Sequence, residues 1–311
     1  MTRVLALLAG IAILAGCGGG EEASSEEDGW ERARSMSQRR SYIAAAQVGQ
    51  LVYAAGGMVG ESGRPLATFQ RFDPAANSWT GLERLPEPVS AAAAAAVGST
   101  VYVTGGQGVG RATGRQAWAY DTEAPGWRTI APLPEPRFNH SAVALGGRFY
   151  VLGGYSFGVE HDEVFAYEPG ADRWTFVTRL PRAMHAFGAV AFRDEIWVIG
   201  GRHDEELLRE VWIFDPRAGE WREGPAMPKP MELLGAAVAG DELHAVWESV
   251  YQIYDASTGR WRQGPRPLVT RHALEAFHVD GALYTIGGCT TALVDSPIVE
   301  RRSLSSRGQT P

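Results

Sequence analysis

Three arginines, Arg40, Arg137 and Arg271, each stand sixteen residues before a glycine pair. In the other repeats of the chain the same slot holds Val89, Met184 and Met231. The slot after it holds Ser41, Ser90, Phe138, His185, Glu232 and His272. A guanidinium fork binds a carboxylate through two parallel hydrogen bonds. An imidazole or carboxyl group beside it supplies acid–base chemistry. If the repeats close into a ring, Arg40, Arg137, His185, Glu232, Arg271 and His272 circle one opening and form a set of ligand-binding candidates. A second reading stands beside this one: an arginine at a recurring turn braces the adjacent backbone.

Two further groups lie just after glycine pairs. Arg202, His203, Asp204, Glu205 and Glu206 form one, and Arg202 and His203 join the ligand-binding candidates. Tyr155, Phe157, Glu160, His161 and Asp162 form the other. His161/Asp162 and His203/Asp204 have metal-ligand chemistry, but adjacent His-Asp in a solvated loop is an ordinary polar tip. Neither a metal nor a cofactor is expected. Cys289 follows the last glycine pair, either as a reactive thiol or as a small buried hydrophobe. No catalytic set stands out.

The elements that position these residues recur with a fixed period. Glycine pairs fall at Gly56-Gly57, Gly105-Gly106, Gly153-Gly154, Gly200-Gly201 and Gly287-Gly288, each after a short apolar run such as "LVYAA" or "EIWVI". Tryptophans recur at Trp79, Trp127, Trp174, Trp221 and Trp261, each seven residues after an aromatic: Phe72, Tyr120, Tyr167, Phe214 and Tyr254. From a tryptophan to the next glycine pair is 26 residues in four cases. In the fifth unit Trp247 holds the glycine place, in "DELHAVWE". Counting 26 back from Gly56 reaches Trp30, which precedes the first complete unit, while the last unit has no tryptophan of its own. The strand carrying Trp30 is therefore expected to complete the last unit and close a ring, which removes an open end of the array.

Each unit reads as four short strands. In the fourth these are 186–192, "EIWVI", "EVWIFD" and "EWREG". Four strands per unit predicts an all-β propeller of six blades, with each aromatic–tryptophan pair packed between neighbouring blades. From glycine pair to third-strand aromatic the counts are 16, 15, 14, 14 and, in the fifth unit, 7. A loop that varies on a constant scaffold is where function is usually carried, and the short fifth loop is expected to leave a notch in the rim.

An apolar run, Gly-Gly, then "RFDP", "AYDT", "AYEP", "IFDP" or "IYDA", then Trp resembles the Kelch family of β-propellers over about residues 30–304. The resemblance implies that the second-to-third-strand loops share one face with the turns entering the inner strands, and that this face binds ligands or partners.

The ends of the chain point to export. Arg3 precedes an apolar run from Val4 to Leu14, too short to span a bilayer as a stable helix. Leu14-Ala15-Gly16-Cys17 resembles the lipobox of bacterial lipoproteins, which implies cleavage before Cys17 and lipidation of its thiol. The expected organisation is a signal peptide at 1–16, a lipidated cysteine and flexible acidic tether at 17–28, the propeller at 29–304 and a disordered tail at 305–311. With Cys17 lipidated, Cys289 has no intrachain disulfide partner. Net charge is −7, with no basic stripe, so nucleic acid is an unexpected partner.

The expected protein is a monomer, anchored to a membrane by its lipid alone, with the propeller in the periplasm or on the cell surface. Its expected role is binding of a glycan, a peptide or an envelope protein. The alternative is a carbohydrate-active enzyme. Resemblance to the exported N-acetylneuraminate epimerases, which share the architecture, implies Arg137 and Arg271 gripping a carboxylate, with Glu232 or His185 as acid–base group. A copper radical oxidase like galactose oxidase requires a cysteine cross-linked to tyrosine, and no matched tyrosine–histidine set accompanies Cys289.

Overall fold

The computed structural model describes residues 29–60, 62–290 and 294–304. The export segment 1–16, the lipidation site Cys17, the rest of the tether up to residue 28 and the tail 305–311 lie outside the described residues.

Six antiparallel four-stranded sheets form the blades of a propeller. The first contains Ala44–Val48, Leu51–Ala55, Phe69–Asp73 and Ser78–Gly81, from axis to periphery. The next four repeat that order from inner strands Ala93–Val97, Ser141–Leu145, Gly188–Phe192 and Gly235–Ala239. In the sixth, Glu275–Val279, Ala282–Ile286 and Val299–Ser303 are completed by Trp30–Ala33, with Trp30 opposite Arg302 and Ala33 opposite Val299. The first strand among the described residues thus closes the last blade. The inner strand of the fourth blade starts at Gly188 rather than at 186, because Ala186 takes a left-handed backbone conformation (φ 58°) that belongs to the preceding turn.

The interval of seven has a simple origin. Each aromatic and its tryptophan are direct partners across the outer hairpin: Phe72 with Trp79, Tyr120 with Trp127, Tyr167 with Trp174, Phe214 with Trp221 and Tyr254 with Trp261. Their ring centroids lie 5.0–5.5 Å apart. Five tryptophans also donate their indole N–H to a carbonyl just past the outer strand of the preceding blade. The pairs are Trp30–Pro265, Trp79–Arg34, Trp127–Glu83, Trp174–Ala131 and Trp261–Pro225, at 2.7–3.1 Å. The indole N–H of Trp221 has no such partner; there the preceding outer strand runs on through Arg179 and carries a bulge.

Apolar burial follows the seams. The six hydrophobic clusters among the described residues each draw on two neighbouring blades. Phe72 and Tyr284 join the first blade to the sixth, and Trp30 meets Tyr251 edge-on at 5.5 Å between the sixth and fifth. Trp30 is therefore a seam residue, 5% exposed.

The glycine pairs are required by backbone crowding. Gly56 (φ 61°) has the carbonyl oxygen of Val89, in the next blade, 2.4 Å from where a Cβ would sit. Gly57 (φ 93°) has that of Ser41, in its own blade, at 2.7 Å. Each pair is wedged between two entry turns, where no side chain fits. In the fifth blade Glu248 (φ 50°) keeps the linking bond, its N–H donating to Arg271 at 2.6 Å.

Candidate interaction face

Around the axis, six residues two positions beyond the arginine slot have positive φ: Tyr42, Ala91, Asn139, Ala186, Leu233 and Ala273. Their peptide groups form a closed hydrogen-bonded ring. Ala91 donates to Tyr42, Asn139 to Ala91, Ala186 to Asn139, Leu233 to Ala186, Ala273 to Leu233 and Tyr42 to Ala273, at 2.7–3.3 Å. This ring borders the channel on the face that carries the second-to-third-strand loops. Strained left-handed conformations persist when the surroundings over-determine them, and here each is fixed by two ring bonds.

The three slot arginines are not at the mouth. Arg40, Arg137 and Arg271 have no exposed surface. Each points into its own blade and donates from Nη1 to the carbonyl of the first glycine of its pair: Gly56, Gly153 and Gly287. Arg40 also reaches Thr68, Ala54 and Gln70. Arg137 reaches the Glu163 backbone and lies over the Phe165 ring. Arg271 forms a wholly buried pair with Glu300 at 2.6 Å. Burial lowers the pKa of Arg40 and Arg137 to about 10. The ring of arginines around an opening is thereby corrected: these side chains brace the glycine turns. The carboxylate grip of Arg137 and Arg271 has no basis in this geometry.

The slot after the arginines does lie at the face, and four of its six residues, Ser41, His185, Glu232 and His272, are met by the loop of the preceding blade. Glu160, in the third blade's loop, accepts from His185 (3.0 Å), from His203 (2.7 Å) and from the Asp204 N–H (2.8 Å). Arg202, in the fourth, forks onto both oxygens of Glu232 at 2.7 and 2.8 Å. Glu248, in the fifth, stands 3.8 Å from His272. Asp295, in the sixth, accepts from the Ser41 hydroxyl at 2.6 Å and from the Gly60 N–H at 2.7 Å. Short backbone bridges, His185 with Arg202 and His272 with Cys289, set these side chains beside one another. Burial lowers the His185 pKa against the opposing pull of Glu160. The Glu232 hydrogen bonds raise that of Arg202.

Cys289 is buried, with its sulfur 3.0 Å from His272 Nε2. Burial, with Asp295 adding to it, pushes the thiol up to about 11, so it stays protonated and unreactive at neutral pH. The His-Asp tips are engaged as well. His161 bonds Ser156 and Glu163, and Asp162 pairs with Arg179. Among the described residues no three His, Cys, Asp or Glu side chains are placed to hold a metal ion.

The loops differ in form as well as in length. Two-stranded hairpins rise over the first, third and fourth blades: Met58–Val59 with Arg64–Pro65, Tyr155–Ser156 with Val159–Glu160, and Arg202–His203 with Glu206–Leu207. The fifth blade has a tight turn instead, between Trp247 and Val250. Four large apolar side chains stand exposed on these loops: Val109 (74%), Phe157 (78%), Val159 (57%) and Val294 (48%). Sequence reasoning missed the clasping roles of Glu248 and Asp295. Their only signal was an acidic residue in a loop of special length.

The fold and this face define a Kelch-type propeller, an architecture that generally serves as a protein-interaction module. The KLHDC2/KLHL20/DRC7 Kelch-repeats domain matches residues 42–246, and the chain belongs to the Kelch-repeat family. It is similar to Kelch-like protein 35 of Mus musculus, at 40% identity over 86 residues. That stretch is 27% of this chain and 14% of the mouse protein, so the chain matches only a small part of that relative's length.

Proposed function

We propose that this chain is an exported, lipid-anchored Kelch propeller whose loop face recognises an envelope protein or a segment of one. One observation carries the reading. Four of the five large apolar side chains exposed among the described residues lie on the second-to-third-strand loops of blades two, three and six. Apolar and aromatic tips rimmed by polar groups are what a protein partner desolvates. The clasps beneath them hold the rim in one geometry, which lowers the ordering cost of association. Export and anchoring rest on the apolar run to Leu14 and on Leu14-Ala15-Gly16-Cys17.

The test is comparative capture from envelope extract with the native chain and with Phe157→Asp/Val159→Asp. A protein held by the first and released by the double variant, at unchanged thermal stability, supports the reading. Equal capture by both, or exclusive retention of a glycan, contradicts it. Metabolic labelling with an alkynyl fatty acid tests the anchor: label on the native chain and none on Cys17→Ala.

A further inference from the structure

The first residue of each inner strand sits four positions after the arginine slot. Five blades place a small residue there: Ala44, Ala93, Ser141, Gly188 and Gly235. The sixth places Glu275. Its carboxyl group lines the axial cavity, of about 120 Å³, just inside the hydrogen-bonded ring. Glu275 is part-buried and keeps some exposed surface there. Among the described residues it has no hydrogen-bond or ionic partner, whereas Glu160, Glu232 and Asp295 on the loop face are clasped. A carboxyl group held in such a cavity without a partner is costly, and Ala93, Ser141 and Gly188 of the second, third and fourth blades line the same space.

The walls supply further oxygen ligands. Each inner strand is the last of its sheet, so one edge of its peptide groups is unpaired and turned to the axis. The other titratable groups lining the cavity are Tyr42 and His140. Burial raises the first to about 12 and holds the second well below the usual imidazole range, so both are neutral at physiological pH. Once Glu275 has lost its proton, above about pH 8, the site offers one negative charge and several carbonyl oxygens. A divalent ion would leave an uncompensated positive charge in a low-dielectric enclosure. A singly charged ion is balanced.

We infer that the axial channel binds one small singly charged cation, an alkali ion or a primary ammonium group, on the Glu275 carboxylate and the free carbonyls of the inner strands. The site is separate from the loop-tip surface, and a ligand here steadies all six inner strands at once.

The experiment is thermal unfolding of the full chain at pH 9 in tetramethylammonium chloride, a cation with no N–H to donate and its charge shielded by four methyl groups. The salt is then exchanged at constant ionic strength for sodium, potassium or methylammonium chloride. A saturable rise in Tm with at least one of these, lost in Glu275→Gln, is expected; alkali salts and methylammonium distinguish the two sources. The second readout needs no variant. The titration of the Glu275 carboxyl, followed by carbon-13 NMR of glutamate-labelled protein, moves to lower pH in the binding salt. Identical Tm in all four salts together with an unmoved titration overturns the inference. Partner capture is unchanged in Glu275→Gln, so failure here is distinct from failure of the loop-face reading.

Discussion

The Tyr42 N–H donates to the Ala273 carbonyl at 3.3 Å, the longest bond of the axial ring, at the join between the first blade and the last. The other five bonds of the ring measure 2.7–3.0 Å. The first and last blades meet at this join, and three features reinforce it: the Trp30–Ala33 strand, the Phe72–Tyr284 contact and the Asp295 clasp.

Removing the Asp295 clasp loosens that join. Asp295→Ala leaves the Ser41 hydroxyl and the Gly60 N–H without their acceptor. The expected loss is about 1–3 kcal/mol, read from denaturant unfolding. Hydrogen exchange at the Gly60 amide accelerates while the amides of the third and fourth blades are unchanged.

Trp174→Phe and Trp221→Phe remove the same volume, and only Trp174 gives up an indole hydrogen bond, to Ala131. Trp174→Phe is therefore the more destabilising of the two, by about 1 kcal/mol. Trp30→Ala empties a seam and costs about 3–5 kcal/mol. Chemical denaturation of the three variants side by side measures both differences.

The braces are graded by what they strand. Arg271→Ala leaves Glu300 fully buried without its cation and costs about 3–5 kcal/mol. Arg40→Ala loses hydrogen bonds to carbonyls and to Gln70 but strands no carboxylate, and costs less. Arg40→Ala leaves partner affinity intact wherever the protein remains folded, which a titration against the captured partner checks.

Stability has opposing pH limbs. His244, buried beside Tyr251, has a pKa lowered by burial to about 3. The unfolded chain therefore binds the extra proton first, and stability falls as pH drops from about 6.5 towards 3. Burial raises Glu275 to about 8, so the folded chain holds that proton longer, and stability falls as pH rises from about 4.5 to 8. A tenfold difference in proton affinity between the folded and unfolded chain is worth about 1.4 kcal/mol. Glu275→Gln flattens the alkaline limb and leaves the acid limb in place, as pH-dependent unfolding curves will show.

The repeat made the fold legible. The seven-residue interval is an outer hairpin, and the count back to Trp30 found the closing strand because a ring has no free place for an unpaired tryptophan. The slot alignment also placed His185, Glu232 and His272 on the face. It misplaced Arg40, Arg137 and Arg271, because one residue of offset along an entry turn reverses the side chain from the face to the blade interior. Glu275 went unread because its meaning lies in the cavity it shares with the inner strands of other blades, a juxtaposition that only ring closure creates.

The most direct test of a protein-binding loop face is site-specific photocrosslinking in intact cells. Benzoylphenylalanine replaces Phe157 or Val109 on the loop face, or Phe176, an exposed side chain on the outer strand of the third blade. A discrete protein adduct from positions 157 and 109, with none from 176, is the predicted result. Adducts from 176 alone, or none at any position, would contradict it.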